Sequence, residues 1–239
     1  MKLLYYLIAL GDPSLKEKHE ILLSNLKTIY NNINQKFSIN INFYDDSEEI
    51  KESIKNLDFI ENTYYYNQKG VLTELFLTNP NNKYIEEYDY VLLMLDDVYI
   101  NEIDINHMIQ VKNKYNIDIL SPKIINGTHS FMNCSDYLTI NNSLEVYCLF
   151  LDPVGFNKFC SIHTLENKWM WGVDFLFGFY KIKTGVINKY SATHKLPSKS
   201  NRNDALEMMR IYISTHTPYK GLWDINNHYE PIIEMIKEY

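Results

Sequence analysis

The sequence predicts a three-layer α/β domain built on a mostly parallel, mixed central sheet. Short, unbroken apolar runs alternate with stretches of helical periodicity along the whole chain. The strongest runs carry apolar residues at consecutive positions, as strands covered on both faces do. No linker rich in Pro, Gly or Ser and no internal repeat divides the 239 residues, so the chain reads as one domain.

Each element has its own justification. Residues 2–10 are a continuous apolar strand that closes on Gly11. Its apolar core is short and no small-x-small site follows, which argues against a signal peptide. Over 14–35, Leu15, Ile21, Leu22, Leu26, Ile29, Tyr30 and Ile33 recur at helical spacing, with Ser14 and Glu17 placed for a capping box. From Phe37 to Tyr44 the residues alternate, giving a period-2 strand that ends at Asp45-Asp46. A short helix at 47–56, a strand near 59–66 and a helix from Gly70 to Leu77, stopped by Asn79-Pro80, come next. Tyr88 to Leu95 is the most strand-like run and ends in Asp96-Asp97. Helix is expected at 103–115, 153–162, near Asp174, 203–213 and 229–238, and strand at 117–121, 145–151 and 185–190, the last leading into a loop with His194.

Composition narrows the function. Hydrophobic residues at 46% and charged residues at 22% describe a globular chain, not a disordered or coiled-coil one. A net charge of −7 with Arg202 and Arg210 as the only arginines is a poor basis for binding a phosphate backbone, so no nucleic-acid partner is expected. Cys134, Cys148 and Cys160 form no Cys-x-x-Cys pair, which favours a reducing, cytoplasmic setting. No apolar run reaches the roughly 18 residues of a membrane span, so a soluble protein is expected. The three glycosylation sequons, including Asn133-Cys134-Ser135, are what chance supplies in so asparagine-rich a chain.

Open α/β sheets bind ligands beyond the carboxyl ends of their strands. Three acidic positions fall at strand ends or helix starts: Asp45-Asp46, Asp96-Asp97 and Asp174. Paired carboxylates on a rigid strand end are costly unless a divalent cation or strong donors compensate, although a bare Asp-Asp pair also serves as a helix cap or solvated turn. In Trp169-Met170-Trp171-Gly172-Val173-Asp174, a carboxylate stands in an aromatic wall of the kind that suits sugars and nucleobases. The same Asp174 also reads as the N-cap of a helix beginning at Phe175.

Taken in order, these pieces resemble a metal-dependent nucleotide-sugar glycosyltransferase of the GT-A fold. The match is to the poorly characterised family marked by Tyr-Asp-Tyr-Ile-Phe-Leu-x-Asp-Glu-Asp and Trp-Gly-Leu-Asp segments. The chain is also similar to small glycosyltransferase domains of large DNA viruses. The resemblance covers roughly residues 3–197. It implies a nucleotide-binding part at about 1–125, an acceptor-side part at about 126–197 and a helical tail at about 198–239. It places the acidic triplet on Leu95-Asp96-Asp97, so the first carboxylate is replaced by leucine. It makes Asp97 and His194 the ligands of Mn²⁺ or Mg²⁺. Asp96 is turned to the ribose or the metal's water shell, and Asp45 and Lys69 contact the nucleotide. Trp171 and Gly172 fall on the acceptor side, and Asp174 becomes the base of an inverting transfer. The implied partners are a nucleoside-diphosphate sugar, UDP-linked by default, and a glycan acceptor.

Three rivals stay open, the blandest being a structural α/β domain whose acidic pairs are caps. A nucleotidyltransferase that makes nucleotide sugars shares the fold class but carries a Gly-rich basic loop after the first strand, where this chain has Gly11-Asp12-Pro13-Ser14-Leu15-Lys16. A non-catalytic sugar-nucleotide or glycan-binding module is kept alive by the missing carboxylate.

Overall fold

The protein is described from a computed structural model covering residues 1–12, 14–45, 47–128, 137–196, 202–221, 224–225 and 230–237. Asp46, the sequon Asn133-Cys134-Ser135 and Trp223 lie outside the described residues.

The first half of the chain alternates as expected: β1 (Leu3–Leu10), α1 (Leu15–Ile33), β2 (Phe37–Phe43), α2 (Glu48–Lys55), β3 (Ile60–Tyr66) and α3 (Leu72–Leu77). A 3₁₀ helix over Pro80–Glu87 leads into β4 (Tyr90–Met94), β5 (Val98–Glu102) and α4 (Ile105–Tyr115). The second half holds β6 (Ile119–Ile125), β7 (Leu138–Asn141), β8 (Cys148–Leu151), α5 (Pro153–Ser161), β9 (Thr184–His194), α6 (Arg202–His216) and β10 (Ile232–Ile236).

The strands form one sheet in the order β10-β7-β9-β6-β8-β4-β1-β2-β3, with β5 paired to β9. Pairing is parallel from β3 through β2 and β1 to β4. β8 then enters antiparallel between β4 and β6, β6 and β9 pair parallel, and β7, β10 and β5 are antiparallel additions.

The unbroken apolar character of β1 has a direct cause. Leu3, Tyr5 and Leu7 enter a core under α1 and α4 with Leu22, Leu26, Met108 and Val111. Leu4, Tyr6 and Ile8 enter a second core with Phe76 of α3 and Phe156 and Phe159 of α5. Helices on both faces leave a central strand no polar side. The polar face of β2 is buried too. Asn40 accepts from Asn81 of the 3₁₀ helix at 3.1 Å, and Asn42 pairs with the backbone of Gln68 through two hydrogen bonds of 3.0 and 3.2 Å.

Some expectations are corrected. The helix read over 229–238 is a strand, β10, formed by antiparallel pairing with β7. β5 and β7, absent from the sequence reading, are likewise made by partners in the sheet. β9 runs beyond 190 to His194 because β5 pairs with its last turn-free residues, so His194 ends a strand and is not in a loop. Ser14 takes a left-handed conformation (φ 67°) and makes no side-chain cap, so the capping box does not form.

Candidate active site

β1, β2 and β4 run parallel, so the acidic residues past β2 and β4 lie at one edge of the sheet. Asp97 directly precedes β5, and His194 is the last residue of β9. The antiparallel register sets Val98 opposite His194, and the Lys195 amide donates to the Asp97 carbonyl at 2.8 Å. This backbone clamp brings together residues 97 positions apart: His194 Nε2 lies 2.9 Å from Asp97 Oδ2. The other ring nitrogen, Nδ1, is 3.4 Å from the Asn126 carbonyl, an orientation that directs Nε2 toward Asp97. The bond to Asp97 raises the His194 pKa above its ordinary value, against the effect of burial. Asp97 Oδ1 is buried and has no hydrogen-bond partner among the described residues. A buried carboxylate oxygen left unpaired is expensive unless something else completes it. One carboxylate oxygen and one imidazole nitrogen held by a backbone carbonyl form a donor set that fits a divalent cation such as Mn²⁺. Among the described residues no group of three or more His, Cys, Asp or Glu converges, so such a cation would need further oxygens from its ligand or from water.

Tyr147 stands beside this pair. Its carbonyl accepts from the Leu95 amide at 3.2 Å, its hydroxyl bonds Thr128 Oγ1 at 2.7 Å, and its ring lies 4.7 Å from the His194 ring, centroid to centroid. Burial pushes the Tyr147 pKa up to about 12, and the charges of Asp174, Glu145 and Asp97 add to the rise. Three carboxylates therefore bear on one phenol. Glu145 is 3% exposed, and its carboxylate packs so closely on Gly127 that a Cβ there would lie 2.4 Å from Oε2.

Asp174 reaches this place by a different route. It lies within a 3₁₀ turn, Val173–Phe175, whose N-cap is Gly172 at φ +86°, so Asp174 does not cap a helix starting at Phe175. The Leu144 amide donates to its carbonyl at 3.0 Å and the Val146 amide to its Oδ1 at 3.3 Å. The turn is thus stitched to the segment just before Tyr147. Gly172 is needed both for its left-handed backbone and for space, since a Cβ would meet Met209 Cγ of α6 at 2.9 Å. Trp171 packs against the cluster of Phe175, Met209, Ile213 and Ile225. The acceptor-side pair of the sequence reading is therefore also the seat of α6.

The remaining expected residues form a second corner past the ends of β2 and β4. Asp45 and Lys69 meet at 2.9 Å, an ion pair that lowers the Asp45 pKa and raises that of Lys69. The Asn42 bonds to the Gln68 backbone hold the residue next to Lys69 in place. Asp96 pairs with Lys18 of α1 at 2.7 Å; burial nonetheless raises its pKa to about 6. Lys18, Glu145 and Tyr147 escaped the sequence reading. Lys18 sits among the charges of an ordinary helix first turn, and Glu145-Val146-Tyr147 only precedes a strand, so neither carries a local signal.

No protein-family model matches the chain, and no curated protein matches it in sequence. Solved structures do match. Residues 1–349 of TarS from S. aureus, in complex with UDP-GlcNAc, align with a TM-score of 0.57 and 15% identity over 90% of this chain and 66% of that one. For the longer TarS crystal structure the same score covers 39% of that chain. GalNAc-T7, solved with UDP, GalNAc and Mn²⁺, aligns with a TM-score of 0.61 and 7% identity over 90% of this chain and 47% of that one. The chain thus spans under two thirds of these proteins, and at such identities the likeness is one of fold. That fold is the GT-A-like α/β arrangement. No helix among the described residues is long and apolar enough to cross a membrane.

Proposed function

We propose that the protein is a glycosyltransferase that moves a sugar from a nucleoside-diphosphate sugar, UDP-linked, to a glycan hydroxyl with inversion at the anomeric carbon. The observation that carries this reading is the Asp97–His194 pair at the carboxyl edge of the sheet, with a buried oxygen of Asp97 that has no partner among the described residues and the Asp174 turn fastened to Val146, next to Tyr147, whose ring lies near that of His194. The fold shared with structures that hold UDP, UDP-GlcNAc and Mn²⁺ supports it.

Asp97 and His194 would hold a Mn²⁺ or Mg²⁺ ion, whose charge stabilises the leaving nucleoside diphosphate. The Asp45–Lys69 corner receives the nucleotide, with Asp96 on the same side. Asp174, oriented by the Val146 amide, takes the proton of the acceptor hydroxyl. The freed oxygen attacks the anomeric carbon from the face opposite the diphosphate. The new glycosidic bond forms as the bond to the diphosphate breaks, and the proton remains on Asp174. Trp171 and Gly172 shape the acceptor side together with α6. The free thiols of Cys148 and Cys160 suit a cytoplasmic enzyme.

A second reading, a sugar-nucleotide-binding module without turnover, is favoured by Leu95 in place of a carboxylate and by the commitment of Asp96 to Lys18. Calorimetric titration of UDP with and without Mn²⁺ tests the site common to both. Wild type is expected to bind UDP with Mn²⁺, and Asp97→Ala to bind at least about 100-fold more weakly. If no nucleoside diphosphate binds with any divalent metal, both readings fail and only the likeness of fold remains.

A further inference from the structure

The sheet reverses its winding at β1, which has β2 and β3 on one side and β4 on the other. In open α/β sheets this switch point is where ligands bind. A lysine is built into it. Lys18, on the first turn of α1, places Nζ 2.9 Å from the carbonyl of Gly11 and 2.7 Å from Oδ2 of Asp96, so it joins the ends of β1 and β4. Its side chain is 12% exposed and that of Asp96 17%. A helix-surface lysine normally stays in water, because ordering its stem and desolvating its charge both cost free energy. A lysine drawn inward at the ligand-binding edge calls for a reason beyond the helix.

An ammonium has three N–H donors. Gly11 and Asp96 take two. We propose that Lys18 gives the third to an anionic oxygen of the donor's diphosphate, as a fixed cation beside the Asp97–His194 pair; the proposal rests on the glycosyltransferase reading above. Two features fit it. With leucine at 95 and Asp96 matched by Lys18, the end of β4 presents Asp97 as the one carboxylate without a lysine, and the edge has exchanged negative charge for positive. Gly11 also joins the latch to the nucleotide corner: a Cβ on it would meet Tyr44 Cβ at 2.6 Å and Asp45 Oδ2 at 3.5 Å.

The test compares calorimetric binding of UDP and of uridine, in EDTA and in Mn²⁺, for wild type, Asp96→Asn, Lys18→Met and the double variant Lys18→Met/Asp96→Asn. The single Lys18→Met strands a buried carboxylate and can fail to fold. The double variant removes both charges, and thermal melting checks that it is folded. Loss of one charge-assisted hydrogen bond is expected to weaken UDP binding in Mn²⁺ by about tenfold or more in the double variant relative to Asp96→Asn, with uridine binding alike in those two. Asp96→Asn keeps Lys18 on Gly11 and is the reference for it. UDP affinity in the folded double variant equal to that of Asp96→Asn, or an equal loss for uridine between the two, would overturn the assignment. Failure of wild type to bind UDP in either buffer would sink the glycosyltransferase reading, and the role of Lys18 with it.

Discussion

Two carboxylates at the carboxyl edge of the sheet each have a lysine: Asp45, past β2, takes Lys69 at 2.9 Å, and Asp96, past β4, takes Lys18 at 2.7 Å. One residue on from Asp96 the pattern changes. Asp97 pairs with an imidazole, and Asp97, Glu145 and Asp174 all bear on Tyr147. These two ion pairs balance their charges within the protein. Around Asp97 the partner is instead a histidine, whose pKa the carboxylate raises. One sheet edge thus pairs two of its carboxylates with lysines and a third with an imidazole.

The largest expected effect separates chemistry from binding within the acidic corner. Asp174→Asn should lower sugar transfer by about 10²–10⁴-fold while UDP binding stays at the wild-type level. Steady-state turnover beside calorimetry reads both, and unaltered turnover in the variant would remove Asp174 from the role of base.

A smaller effect is a difference in pH response. The raised pKa of His194 means that the stability from its pairing with Asp97 is fully present below about pH 6.5 and is lost as pH rises through the folded value. The lowered pKa of Asp45 gives the opposite sense: its contribution is present above the ordinary aspartate value and is lost as pH falls through the lowered one. NMR titration of the metal-free protein should find His194 above 6.5 and Asp97→Asn bringing it down. Mn²⁺-dependent UDP binding should weaken as pH falls through the His194 value, since the proton and the metal compete for Nε2.

The smallest effect belongs to Lys69→Ala. Lys69 is 71% exposed, so water screens its pair with Asp45, and UDP binding should fall by less than about tenfold with melting unchanged. A larger loss would mean that the bound nucleotide shields this pair from water and that the two corners differ less than their ion pairs suggest.

Legibility in the sequence follows the range of the forces involved. β1, β2 and β4 could be read because burial on both faces leaves unbroken or alternating apolar patterns in a few residues. The β10 segment Ile232-Ile233-Glu234-Met235-Ile236 looked helical because its strand state is conferred by β7, some ninety positions earlier in the chain. β5, with a pattern as ordinary as Val98-Tyr99-Ile100-Asn101-Glu102, is a strand because β9 pairs with it. Ser14 had the right residue type for a cap and the wrong backbone.

The candidate site divides along the same line. Strand polarity and periodicity alone put Asp45, Asp96 and Asp97 at carboxyl ends, because a strand delivers its last residues to the sheet edge wherever its neighbours lie. Sheet order and register then chose the partners: Asp97 with His194 through β5 on β9, Asp96 with Lys18 through the crevice between β1 and β4, and Tyr147 among the acids through β8 beside β4. Those contacts join segments far apart in sequence, and local residue preferences hold no information about which distant strand will lie alongside.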